Sequence, residues 1–275
     1  MAEAVNLTQT VRSNLLTLQK TSGLIARTQT RLSTGLKVNN AIDDAAAFFT
    51  AKALSNAGND LAGLKSSIDL AISTIQAAID GIDAITELVN QAKGLASNAK
   101  ATGDTNERST LAVQFNELLS QIDTLAKDAS FNGTNLLKAT PDNLAVEFNS
   151  DNTSNLTITG LDSTTASTGI NIGVAANNFG LSANVDTALT AISSALSTLR
   201  SNASTLGSNN TILSTRLEFT QKLVTTLEGG SGKLTLADLN EESANLLALQ
   251  TRQQLGINSL ALAAQSERSI LALFG

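Results

Sequence analysis

The sequence predicts a predominantly α-helical fold, a long antiparallel helical bundle or coiled coil that carries a small β-hairpin region. A single proline among 275 residues permits very long helices. Apolar residues recur in alternate steps of three and four over long stretches, which is the pattern of a helix packed against another helix. Aromatic residues are only 3% of the chain, so Leu, Ile, Val and Ala have to form the core.

The two ends of the chain are predicted to be helices that pair with each other. Residues 1–34 carry a net charge of +3 and residues 233–275 one of −1, so the ends attract each other weakly. Polar residues such as Ser22 and Gln29 interrupt their apolar seams, and a lone helix of this kind has no partner for its stripe. We assign the apolar seam residues to a self-assembly surface: Val11, Leu15, Leu18, Ile25, Leu32, Leu246, Leu249, Leu260, Ile270 and Phe274.

The most regular seam begins at Leu61 and continues to Ala99. Every position along it is apolar, and the stretch would be roughly 58 Å long at 1.5 Å per residue. Such a length favours a rod-like bundle over a compact globular core. Asp43 and Asp44 are expected to cap a separate short helix, residues 42–56, before this seam begins.

Two further seams complete the predicted bundle. Asp104, with Glu107 three residues later, predicts the start of the next helix. The last seam extends from Val185 to Leu227, and the glycine-rich residues 229–232 are expected to end its helix. The apolar positions of the middle seam are Leu111, Phe115, Leu118, Ile122, Leu125 and Ala129.

Residues 139–184 have a different composition, because Asn, Ser, Thr and Gly accumulate there and basic residues are absent. Alternating apolar stretches at 144–148, 156–161 and 170–174 predict a small β-hairpin region on the outside of the bundle.

We therefore expect two structural parts. Residues 1–34 and 233–275 form the paired terminal helices, and residues 35–232 form the bundle domain, which includes the β-rich segment 139–184.

The composition excludes several classes of function. Without His or Cys the chain has no imidazole base, thiol nucleophile, disulfide or ordinary zinc site. A net charge of −6 and the absence of Tyr and Trp do not suit a nucleic-acid-binding protein. Residues 1–20 contain no uninterrupted apolar segment, and no apolar run of membrane-spanning length occurs, so neither a Sec signal nor membrane insertion is expected.

Adjacent carboxylates leave an oxygen-ligand Mg²⁺ or Ca²⁺ site open as an alternative. Glu241 and Glu242 are adjacent carboxylates of the type used in acid/base catalysis, but neighbouring helix residues point about 100° apart, so the two are not expected to share a substrate. We favour helix capping for Asp43 and Asp44, and a position in the first turn of a helix, where the helix dipole favours carboxylates, for Glu241 and Glu242. We expect no enzyme, no cofactor and no metal site.

Four blocks of sequence resemble signature segments of bacterial flagellins. They are RLSTGLKVNNAIDDAA at 31–46, FNGTNLL at 131–137, LRSNASTLG at 199–207, and LNEESANLL at 239–247 with QQLGINSL at 253–260. They occur in the order of the family and are together very specific. The signature residues that we single out are Arg31, Leu32, Ser33, Gly35, Asn39, Asp43, Asp44, Phe131, Asn132, Gly133 and Glu242.

The resemblance implies an extracellular structural subunit that self-assembles into the bacterial flagellar filament for swimming motility. In flagellins the paired terminal helices form the inner tube, and the bundle with its β-hairpin surrounds it. The short segment 139–184 implies a form without large outer domains. The implied partners are further copies of the chain, the flagellar type III export machinery, an export chaperone, and the cap and hook-associated proteins, with export that uses no cleaved Sec signal.

Two alternatives stay open beside this interpretation. A hook-filament junction protein shares the pattern of the terminal segments and is the nearest alternative. An enzyme is the contrasting class, since some flagellins carry a zinc-peptidase insert, but that insert needs His and this chain has none.

Overall fold

The computed structural model describes residues 9–274, apart from the side chains of Thr10, Glu267 and residues 270–274. The predicted fold class is confirmed, since long helices dominate and one two-stranded antiparallel sheet accompanies them. The elements in chain order are α1 (Gln9–Thr34), α2 (Ala45–Ala101), α3 (Thr105–Asp128), β1 (Leu144–Glu147), β2 (Asn155–Ile158), a 3₁₀ turn (Ala176–Phe179), α4 (Ser182–Thr235) and α5 (Leu239–Phe274).

The chain divides into two compact units. The bundle unit comprises Ala57–Thr225, and the terminal unit comprises Met1–Asn56 together with Thr226–Gly275. The boundaries expected from the sequence, after residue 34 and before residue 233, lie inside the terminal unit.

The long seam of α2 is the centre of the bundle unit. Its positions from Ile68 to Ala99 are almost completely buried, and they form one core cluster with apolar residues of α3, α4 and the β-hairpin. The helix is longer than expected, because it begins at Ala45 and is continuous through the proposed short helix 42–56.

The prediction of which α3 residues form the middle seam is only partly correct. Phe115 and Ile122 are fully buried, but Leu118 is only half-buried and the neighbouring Leu119 lies deeper. The buried stripe on α3 is wider than a two-helix seam, because α3 packs against the 3₁₀ turn as well as the bundle core. The positions buried along α3 are Ala112, Phe115, Leu119, Ile122 and Ala126.

The glycines at 229–232 do not end α4, which continues to Thr235. A Cβ atom at Gly230 would lie 3.4 Å from Leu54 Cδ1, and the Ser231 hydroxyl donates a hydrogen bond to the Ala51 carbonyl (3.1 Å). The small residues therefore bring this last part of α4 close to α2, and that packing offsets their poor helix propensity.

Only two of the three predicted strands form. Leu144 pairs with Ile158 and Glu147 with Asn155 in an antiparallel hairpin. Residues 170–174 are not a strand, although Ile170 and Ile172 are buried. The alternation of this loop buries Ile170 and Ile172, but it does not continue to Val174, which is 72% exposed, and Asn171 has a positive φ of 53° that a strand does not adopt.

In the terminal unit α1 packs against α5, and the register of the α1 seam differs from the prediction. The face toward α5 contains Asn14, Thr21 and Thr28 in place of Leu15, Ser22 and Gln29, and Leu15 is 39% exposed. The interface accepts short polar side chains because the Thr21 hydroxyl donates a hydrogen bond to the Thr17 carbonyl of its own helix (2.9 Å). The buried or half-buried positions of this face are Val11, Asn14, Leu18, Thr21, Ile25, Thr28 and Leu32.

The α5 seam has the predicted register. Leu246, Leu249 and Leu260 are half-buried in this helix pair, and a Cβ atom at Gly256 would lie 3.0 Å from Leu18 Cδ2. Gly256 therefore permits the close approach of α1 and α5. Ile270 and Phe274 belong to the same predicted seam, but their side chains lie outside the described residues.

Candidate assembly surface

The first signature block ties the end of α1 to the turn between α4 and α5. Gly35 adopts a positive φ of 72°, and its N–H donates to the Arg31 carbonyl (2.8 Å), which ends α1. Leu36 then forms an antiparallel bridge with Leu236, and the Ala237 N–H donates to the Gly35 carbonyl (2.9 Å). This backbone pairing positions the start of α5 beside the end of α1.

Asp43 and Asp44 each stabilise a turn of the same loop. The N–H groups of Asn39 and Asn40 donate to Asp43 and, with the nearby Arg27 guanidinium, hold the pKa of that carboxyl below its ordinary value. Asp44 accepts from the Ala47 N–H (3.0 Å) and caps α2. No group of three acidic side chains within residues 9–274 is arranged to hold a metal ion.

Arg31 and Glu242 join α1 to α5 through one ion pair. Arg31 Nη1 lies 2.7 Å from Glu242 Oε1, and the Glu242 side chain is only 10% exposed. Arg31 Nε is also buried, and it has no hydrogen-bond partner among the described residues. The structure thus brings together two signature residues that are 211 positions apart in sequence. Of the other signature residues in the first block, Leu32 is half-buried, and Ser33 and Asn39 are exposed.

The second signature block forms a tight turn in the bundle unit. Phe131 and Thr134 exchange two backbone hydrogen bonds of 3.0 Å, and the residues between them, Asn132 and Gly133, both have positive φ. This geometry is the two-residue turn that Asn-Gly favours. The block holds a turn in place and presents no chemically reactive group.

Asn135 is a residue of this block that the sequence analysis did not single out. Its side-chain amide donates to the carbonyls of Ala126 and Lys127 near the end of α3 (2.9 and 2.8 Å). Its side-chain oxygen accepts from the N–H groups of Leu137 and Lys138 (2.7 and 3.0 Å). The Asn135 side chain therefore forms hydrogen bonds with backbone groups at the end of α3 and in the following loop at the same time. The only feature of the sequence that could have pointed to this role is that Asn135 is a polar residue directly before two leucines.

Three leucines of α5 stay largely exposed, away from the seam with α1. Leu247, Leu255 and Leu262 are 67%, 64% and 70% exposed, and we call these three residues the free face of α5. Exposed leucines that share one side of a helix can be buried against another protein, so this surface is suited to such a contact. The apolar seam predicted from the sequence does not include these leucines, because the α5 residues of that seam that the structure describes lie on the side toward α1.

Comparison with known proteins identifies the family. Residues 5–142 match the bacterial flagellin N-terminal helical region, and residues 184–274 match the bacterial flagellin C-terminal helical region. The chain belongs to the bacterial flagellin family. Flagellin FljM of Caulobacter vibrioides is 35% identical over 275 residues, which cover 98% of this chain and 99% of the relative. The flagellin of Brucella melitensis is 29% identical over 269 residues, covering 94% of this chain and 95% of the relative. The crystal structure of Bacillus cereus flagellin aligns with 18% identity and a TM-score of 0.49, over 56% of this chain and 88% of that chain.

As a flagellin, the chain is a structural subunit of the bacterial flagellar filament. The matches extend over nearly the full length of relatives as short as this chain, which agrees with a form that lacks large outer domains. They do not favour the hook-filament junction alternative. Within residues 9–274, no helix combines the length and the apolar character needed to cross a bilayer.

Proposed function

We propose that this flagellin polymerises through its terminal unit, in which the α1–α5 pairs of many copies pack side by side as the inner wall of the filament. The observation that carries the proposal is the free face of α5, where three leucines are more than 60% exposed. Burying a leucine side chain contributes roughly 1.5–3 kcal/mol. Each free-energy change of about 1.4 kcal/mol alters an association constant tenfold, so the free face alone could decide whether copies assemble.

The seam residues assigned from the sequence belong to the same proposal. Leu18, Ile25 and Leu249 are half-buried between α1 and α5, and the surface that each keeps is available to neighbouring copies. Leu15 is 39% exposed, which suits a contact between copies. Ile270 and Phe274 extend the predicted surface to the end of the chain.

The experiment compares three aspartate variants of the full chain. Leu255→Asp and Leu262→Asp alter the free face of α5, and Val174→Asp alters a side chain of the bundle unit that is 72% exposed. Purified monomer is seeded with filament fragments, and polymer is measured by sedimentation while melting is followed on the same samples. We expect the two leucine variants to melt normally and stay unpolymerised, whereas Val174→Asp polymerises. Normal polymerisation of both leucine variants would contradict the proposal.

We further propose that the subunit is non-enzymatic and leaves the cell through the flagellar type III export machinery, with an export chaperone, and meets the cap and hook-associated proteins at the filament. Family membership supports this route. In cells that lack the flagellar export apparatus, the protein should stay inside. Mass spectrometry of the extracellular protein should find residues 1–20 retained, and their removal would contradict the proposal.

A further inference from the structure

Two oppositely charged residues, Glu241 and Arg252, lie on one face of α5. They are eleven positions apart, and eleven steps of about 100° complete three turns with roughly 20° to spare. At 1.5 Å per residue the two positions are about 16 Å apart along the helix axis. Both side chains are exposed, and neither makes a hydrogen bond or an ion pair with any residue that the structure describes.

Arg252 borders a basic cleft between α1 and α5. The cleft has a volume of about 300 Å³, and Arg27 and Arg31 line it with Arg252, against the single carboxylate of Glu242. Arg31 is already paired with Glu242. Arg27 is half-exposed, and its nearest carboxylate oxygen, on Asp43, is as far as 3.8 Å away. The cleft therefore has room and an excess of positive charge for one more carboxylate.

Glu241 lies at the acidic start of the same helix. It shares a second cleft, of about 480 Å³, with Asp43, Asp44 and Asp238. The cations that line this cleft are Arg31, which is already paired, and Lys37, whose ammonium donates to the Lys233 carbonyl (3.0 Å). The terminal unit thus carries an acidic surface and a basic cleft at different heights on one helix.

The charged face of α5 continues into the exposed leucines of the same helix. Steps of three and four from Arg252 reach Leu255, Ser259 and Leu262, which are all exposed. The two leucines are those whose burial the proposed function requires, and the serine between them is small. A neighbour that covers the leucines would consequently also meet Arg252.

We propose that Glu241 of one copy pairs with Arg252 of a parallel neighbouring copy, so that the acidic start of one α5 enters the basic cleft of the next. The inference rests on the proposed function, and the occupant of the cleft is a second copy of this chain. Parallel copies at equal height would face like charge with like charge. Pairing needs an axial stagger of about 16 Å, and a staggered contact between different surfaces propagates as an open helix instead of closing into a pair.

Charge reversal on the full chain tests this pairing. Glu241→Arg and Arg252→Glu each place like charges in every contact, and we expect each to raise the critical concentration for seeded polymerisation about tenfold at low salt. The double variant should polymerise like the wild type. An equimolar mixture of the two single variants should also polymerise, because every contact between unlike copies then joins opposite charges.

The matched control is Glu228→Arg, which reverses an exposed charge of the terminal unit outside this face. It should leave the critical concentration unchanged, and high salt should shrink the effect of the two test variants. Unchanged melting of each monomer shows that the fold is intact. Three outcomes would overturn the pairing: single variants that polymerise like the wild type, a mixture that gains nothing over its components, or wild-type protein that closes into antiparallel dimers. Wild-type protein that never polymerises would instead contradict the proposed function itself.

Discussion

Two glycines on α2 should differ in how the same substitution changes the stability of the fold. Replacing glycine by alanine inside a helix gains roughly 0.8–1 kcal/mol of intrinsic helix stability. At Gly94 the added Cβ would meet nothing within 4 Å, so Gly94→Ala should keep that gain. At Gly81 the Cβ would lie 2.8 Å from Ala129 Cβ and 2.9 Å from Leu137 Cδ1.

The difference in stability between the two variants depends on which atoms around Gly81 can move away from the added Cβ. Carbon atoms prefer separations of about 3.5–4.0 Å. The Leu137 side chain can rotate away, but the Ala129 Cβ is fixed to its backbone, so α2 or the segment after α3 has to shift. Overpacking of this kind costs roughly 1–3 kcal/mol, so Gly81→Ala should lie below Gly94→Ala by about that amount.

Urea unfolding of the monomeric variants, followed by circular dichroism, measures the difference. The midpoint should rise for Gly94→Ala and stay level or fall for Gly81→Ala, with equal m-values. Equal stabilisation of the two variants would refute the close packing of α2 against Ala129.

Three further predictions concern single side chains. Ile75→Ala should lower the free energy of unfolding by roughly 2–5 kcal/mol because Ile75 is fully buried, whereas Gln76→Ala on the exposed side of the same turn should change it by less than about 0.5 kcal/mol in the same denaturant assay. Asn135→Asp should destabilise the bundle unit, by about 1–3 kcal/mol for each of the two carbonyls that lose their donor, and calorimetry should find Asn132→Asp in the exposed turn nearly neutral. The pKa of Asp43 is lowered in the folded chain, so its contribution to stability is present above the ordinary carboxyl pKa and is lost as the pH falls below about 4. A carboxyl titration followed by nuclear magnetic resonance should locate the low pKa, and Asp43→Asn should remove this part of the acid sensitivity.

The bundle helices could be predicted because their seams encode burial directly. In α2 each apolar step of three or four from Ile68 onward is a buried position, so the pattern alone placed the core. At three positions the predicted α1 seam lies one residue away from the face that is buried against α5. The interface uses Thr21 and Thr28, and a search for apolar residues passes over both. Ser73, which the same reasoning would place on the surface of α2, is half-buried for a related reason, since neighbouring segments widen the buried stripe.

The candidate site was only partly accessible from the sequence. The resemblance identified Arg31 and Glu242 as signature residues, but only the fold brings these two side chains to 2.7 Å from each other. The extension of α4 to Thr235 depends on packing against Leu54, which no local propensity records. The free face of α5 was missed because the helix is apolar on several sides, and its periodicity therefore does not separate the seam from the surface.

We propose that copies of this flagellin assemble through the free face of α5, and electron cryo-microscopy of filaments grown from the purified chain would show these contacts. We expect a map in which the α1–α5 pairs line the inner wall and Leu255 and Leu262 are buried against neighbouring copies. A filament in which these two leucines face solvent, while other surfaces make the contacts between copies, would contradict it.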